Sequence, residues 1–168
     1  MNQRASSFLF LTLLSVATTA VRAEDSERIF GPWTLRCENA VDTAHQSCIM
    51  FQNLVLKTGG QPVLQFAIGL APADNTPTVL VSLPLGIALP PGITIQIDDG
   101  KPATFPVERC QPDGCHAGMK LRDTTIAQLG QGQRLNITFY DGARKPINVP
   151  LSLQGFGDSF KALTAATP

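Results

Sequence analysis

Four cysteines, two histidines and a scatter of carboxylates are the residues of this 168-residue chain best equipped to do chemistry. The cysteines are Cys37, Cys48, Cys110 and Cys115. Four thiolates could hold a structural zinc ion, but such sites use paired C-x2-C spacing, and neither pair here has it. An even set in a chain that opens on an export-type leader reads instead as disulfides. Three pairings are open. The local one, Cys37–Cys48 with Cys110–Cys115, is expected because each pair is close in sequence and flanked by strand-like residues. Oxidised and outside any C-x-x-C, none of the four is suited to thiol catalysis.

The histidines are His45, inside the first cysteine loop, and His116, directly after Cys115. One histidine can act as a general base and two can share a metal. No H-x-x-x-H or H-x-H spacing supports a ligand set, so both read as loop histidines facing water. Glu108, Asp113 and Asp123 gather around the second cysteine pair. A two-carboxylate hydrolase needs its acids facing each other across a cleft, so a hydrolase built on these groups and His116 is the least favoured reading. Asp98-Asp99-Gly100 lacks the spaced oxygens of a calcium loop and reads as a turn. Ser82, Ser152 and Ser159 lie outside any G-x-S-x-G. Arg109, Lys120 and Arg122 flank the second cysteine pair, with His116 among them. That basic edge is a candidate contact for an anionic partner, a polysaccharide or an acidic protein. No catalytic residue, metal or cofactor is implied.

The elements that must carry these residues follow from pattern and punctuation. Residues 1–23 read as a signal peptide: Arg4, an apolar run from Phe8 to Val16, then Val21-Arg22-Ala23 as a small-x-small cleavage site. The run is too short for a stable anchor, and no later run reaches spanning length. Residues 24–168 are expected to form one domain, exported and not membrane-spanning after cleavage. Removing Arg4 and Arg22 leaves eleven basic against thirteen acidic residues. That balance offers no basic excess to grip phosphates, so nucleic acid is not an expected partner.

Short strands dominate. Ile29–Cys37 reads as the first, with Trp33, Leu35 and Cys37 on one face and Trp33 as a core anchor. Cys48–Leu56 and Val63–Leu70 follow. Val79–Leu85 and Ile93–Ile97 read as a central pair joined through Leu89-Pro90-Pro91-Gly92, with Pro84 ending or bulging the first. Ala103–Cys110 and Cys115–Leu121 read as a hairpin pinned at its tip. A short helix is expected from Asp123, with Asp123 or Thr124 as its N-cap and Gly130 as its stop. Arg134–Tyr140 and Ile147–Leu153 form a hairpin around Asp141-Gly142. A last helix presents Phe156, Phe160 and Leu163 at i, i+4, i+7. The fold class is all-β: a sandwich or open barrel of antiparallel strands with one or two short helices and two disulfides.

Several separated pieces combine into a recognisable pattern: Gly31-Pro32-Trp33 leading to Cys37, Cys48, Leu83-Pro84-Leu85-Gly86, Leu89-x-x-Gly92, Ile97-Asp98, Cys110-x4-Cys115 and Leu151-Ser152-Leu153-x-Gly155-Phe156. In this order they resemble the invasion-associated locus B family over essentially the whole mature chain. The resemblance implies an exported cell-envelope protein of a Gram-negative bacterium, in the periplasm, on the outer membrane or secreted. It also implies a link to host-cell invasion through the founding member. It carries no catalytic motif. The expectation is a non-enzymatic interaction module that binds an envelope or host-surface protein or glycan. The alternative is a periplasmic small-molecule or glycan carrier, with an apolar cavity lined by Phe51, Phe66, Ile95 or Phe139.

Overall fold

The computed structural model describes residues 26–39, 46–55, 60 and 62–166. The expected leader, His45 and most of the turn after Leu56 lie outside the described residues. Strands β1 (Ser26–Phe30), β2 (Trp33–Asn39), β3 (Gln46–Val55), β4 (Pro62–Leu70) and β5 (Pro77–Leu83) run as an antiparallel meander. The chain then crosses to a second sheet with β6 (Ile93–Ile97) and β7 (Ala103–Phe105) and returns with β8 (Arg109–Gln111) and β9 (Gly114–Lys120). Helix α1 (Asp123–Gln131) leads to β10 (Arg134–Tyr140), β11 (Pro146–Ser152) and α2 (Phe156–Ala166). The seven-stranded sheet has the order β1-β2-β3-β4-β5-β9-β8, and the four-stranded sheet β11-β10-β6-β7. The two sheets do not close into a barrel.

Alternation explains the layers. In β2, Trp33, Leu35 and Cys37 are buried while Thr34 and Arg36 are not. In β10, Leu135, Ile137 and Phe139 are buried and Asn136 and Thr138 only half so. These inward faces join those of β3, β4, β5, β6 and β11 in one hydrophobic cluster. One polar link crosses it: buried Gln52 of β3 donates from Nε2 to the Ser152 carbonyl at the end of β11, at 2.7 Å. A buried amide with a partner avoids the desolvation cost of an orphaned one.

Both disulfides form as the local pairing requires, Cys37–Cys48 and Cys110–Cys115. Each joins residues directly opposite in register, β2 to β3 and β8 to β9. Replacing Cys37 and Cys48 together by alanine frees a loop of sequence separation 11. The expected loss is about 2–3 kcal/mol, chiefly through a freer unfolded state. Urea unfolding of the double variant should show a lower midpoint and a somewhat steeper slope, because the freed unfolded chain exposes more surface. An unchanged midpoint would mean that the β2–β3 ladder alone constrains this hairpin.

Four expectations are corrected. Val79–Leu85 and Ile93–Ile97 do not pair: β5 lies between β4 and β9, β6 between β10 and β7. Pro84, which has no N–H for the ladder, ends β5, and residues 84–92 carry the chain to the other sheet. The expected strand Ile29–Cys37 is two strands, because Gly31 at φ 62 and Pro32 turn the chain back. Ala103–Cys110 is likewise split, β7 in one sheet and β8 in the other, with Pro106 between them. Helix α1 is preceded by Arg122, which makes no side-chain cap, and it runs through Gly130 to Gln131. The Gly132 N–H then donates to the Gln128 carbonyl.

Candidate interaction face

The register of the seven-stranded sheet sets its outward side chains in rows. One row runs Ile29, Thr34, Phe51, Ala67, Leu80 and Gly118 across β1, β2, β3, β4, β5 and β9. Ile29 is 73% exposed and Leu80 50%, while Phe51 and Ala67 between them are buried. The Arg36 guanidinium lies over the Phe51 ring, 5.3 Å from its centroid, and reaches Glu27 at 3.4 Å. The row therefore exposes two apolar side chains, Ile29 and Leu80, on a sheet face whose other side is already committed to the core.

A second row, Asn53, Gln65, Ser82, His116 and Arg109, borders the first. Gln65 Nε2 donates to Asn53 Oδ1 at 2.8 Å. Ser82 Oγ lies 3.2 Å from His116 Nδ1, and His116 Nε2 lies 3.4 Å from Asp113. Serine, histidine and aspartate thus meet in the order of a hydrolytic triad. The surroundings do not support acyl transfer. Ser82 sits in a strand paired on both sides, to Gln65 and to His116, so the amides around it belong to the ladder. An oxyanion needs free donors aimed at one point. The Asp113 side chain is 72% exposed, far from the buried, orienting carboxylate of a working triad. The three residues instead form a polar patch whose imidazole can donate or accept.

The four candidate contact residues divide. Arg109 and His116 are opposite one another on β8 and β9. Lys120 lies four residues along β9, roughly 13 Å away. It pairs with Asp74 at 3.4 Å. The side-chain and backbone hydrogen bonds from Thr76 hold the Asp74 carboxyl below the usual carboxylate range, with a smaller contribution from Lys120. Arg122 leaves this face and lines a cleft of about 630 Å³ between the β6–β7 turn and α1, with Lys101, Thr124, Gln128 and the floor residues Ile95 and Ile97. Of these lining residues Ile95 is buried, Ile97 is half-buried and the other four are exposed, so the cleft is an open groove and not an enclosing pocket. The four side chains expected to line a carrier cavity do not share one place: Ile95 lines this groove. Phe66 and Phe139 are fully buried in the core, and Phe51 lies on the opposite face of the sheet from Phe66. Ser82 is the functional candidate that sequence reasoning passed over. Only the β5–β9 register brings it to His116, and residues 34 apart give no local signal of that.

Comparison with known proteins adds family to geometry. Residues 33–164 match the sequence profile described as invasion associated locus B (IalB) protein. The chain belongs to the invasion-associated locus B family. Proteins named invasion protein B homolog from two Brucella abortus strains, 2308 and 9-941, are each 27% identical over 166 residues, covering 96% of this chain and 94% of the relative. The crystal structure of invasion associated protein b from Bartonella henselae superposes with a TM-score of 0.73 at 22% identity, over 83% of this chain and 95% of that one. That likeness is one of fold. The invasion-associated locus B match spans both disulfides and most of the exposed sheet face, from Trp33 onward.

Proposed function

We propose that this chain is a non-catalytic cell-envelope protein, exported by its leader. In this reading it binds a protein or glycan of the envelope, or of a host-cell surface, through the outer face of the seven-stranded sheet. The observation that carries the proposal is the row from Ile29 to Leu80, bordered by the Ser82–His116–Arg109 row. Exposed apolar side chains, here Ile29 and Leu80, with a polar and cationic margin fit the anatomy of a recognition surface. Arg109 at that margin suits an anionic group on the partner. The paired backbone around Ser82 supports the non-catalytic reading, and membership of a family named for invasion supports the envelope setting.

Crosslinking in intact cells, with mass spectrometry of the trapped species, tests this. A recurrent partner should attach near Leu80 and Arg109. Leu80→Glu should weaken its capture about tenfold, the scale expected when an apolar anchor is lost from an interface centre. Leu80 is half exposed, so the variant should fold. Capture undiminished by Leu80→Glu and Arg109→Ala together would overturn the assignment of this face.

A further inference from the structure

The connection from β5 to β6 is unusual in composition. Pro84-Leu85-Gly86-Ile87-Ala88-Leu89-Pro90-Pro91-Gly92 contains no charged residue, and Leu85 and Leu89 are 56% and 45% exposed. An apolar surface loop is ordinarily tolerated when it is short or buried. This one is neither, and it is held firmly. The Ala88 N–H donates to the Tyr140 carbonyl at 2.9 Å, Ile87 bridges to Asp141, and the Gly92 N–H donates to Leu89 at 3.0 Å. Pro84, Pro90 and Pro91 have no N–H to satisfy. Of the nine residues 84–92, three prolines and the bonded Ala88 and Gly92 present no free N–H, which lowers the cost of leaving water.

The same bridges fix what stands beside the loop. Ile87 and Ala88 abut the turn between β10 and β11, and a methyl group built at Gly142 would lie 3.1 Å from the Gly86 carbonyl. That turn carries exposed Arg144 and Lys145. Its one acid, Asp141, accepts from the Ala143 and Lys145 N–H groups. Exposed leucines on a braced loop beside two cations match the interface of an anionic bilayer. The side chains reach the acyl boundary, and the cations meet the headgroups.

We propose that the β5–β6 loop, through Leu85 and Leu89, docks the protein peripherally on an anionic lipid surface, with Arg144 and Lys145 pairing the headgroups. The binding is reversible, since two leucines and two cations fall short of a stable anchor. The loop residues differ from those of the sheet face, so either assignment can fail while the other stands.

The test is flotation of the exported chain, residues 24–168, with protein-free vesicles of phosphatidylcholine alone or mixed with phosphatidylglycerol. The chain should float with the anionic vesicles and release as salt is raised. Leu85→Ser with Leu89→Ser should lower the partition coefficient about fiftyfold, from the apolar area each half-exposed leucine still has to bury. Arg144→Gln with Lys145→Gln should remove the preference for anionic over neutral vesicles. Emission of the single, fully buried Trp33 checks that each variant is folded. Failure of the wild-type chain to float with anionic vesicles would overturn the proposal, as would flotation of the folded leucine variant equal to wild type. Binding only to vesicles that carry envelope proteins would also overturn it, and would assign the loop to a protein partner.

Discussion

Trp33→Ala is expected to cost about 3–5 kcal/mol, the range for deleting a large buried aromatic side chain. A domain of this size has only about 5–15 kcal/mol in hand. Trp33 is fully buried, with its ring edge-on to Phe66 at 6.1 Å and to Phe156 at 5.3 Å. It therefore joins three elements: its own β2, β4 through Phe66, and α2 through Phe156. Each is held by its own backbone hydrogen bonds, so none can move far to fill the space. Trp33→Phe separates volume from polarity. Among the described residues the indole Nε1–H has no acceptor, and phenylalanine removes that orphaned donor while keeping a ring between Phe66 and Phe156. Its expected cost is about 1–2 kcal/mol. Urea unfolding followed by circular dichroism measures both. An alanine cost below about 1 kcal/mol would mean that α2 docks independently of the sheet.

What could be read in the chain was mostly local. The alternation of Leu135, Ile137 and Phe139 identifies β10 because burial on one sheet face imposes period two. The local cysteine pairing follows from hairpin geometry, in which close cysteines oppose one another. The failures share a cause. Gly31-Pro32 and Pro106 turn the chain inside stretches whose side-chain pattern looks continuous, since hydrophobic alternation reports which way side chains face and not which neighbour a strand has. For the same reason β5 and β6 were legible as strands and not as members of different sheets. The sheet face was less legible still. Ile29, Phe51, Ala67 and Leu80 form a row only because four separate registers align them. The basic edge read around the second disulfide divides into three places, because Lys120 lies four residues along β9 beside Asp74 and Arg122 leaves the sheet face for the groove beside α1.

The clearest instance of long-range union yields the second large effect. Gly31-Pro32-Trp33 and Leu153-Gln154-Gly155-Phe156, more than a hundred residues apart, pack backbone against backbone. Gly155 has φ +79, and a methyl group built there would lie 2.4 Å from the Phe30 carbonyl oxygen. Gly31 has φ +62, with its built methyl 3.3 Å from the Gln154 carbonyl. Gly155→Ala must then bear a left-handed backbone, about 1–2 kcal/mol. It must also displace either the β1–β2 turn or the start of α2, which carries Phe156 against Trp33. Overpacking of this kind adds about 1–3 kcal/mol, so a total near 3 kcal/mol is expected. Gly31→Ala meets only the backbone strain and a contact that can relax, and should cost about 1–2 kcal/mol. Gly157→Ala, in the first turn of α2 with nothing within 4 Å, should be neutral or slightly stabilising. The order Gly155, Gly31, Gly157 in urea midpoint loss is the result to look for. Equal losses at Gly155 and Gly31 would leave positive φ as the whole cost, and would mean that the two motifs meet loosely enough for α2 to shift without loosening Trp33.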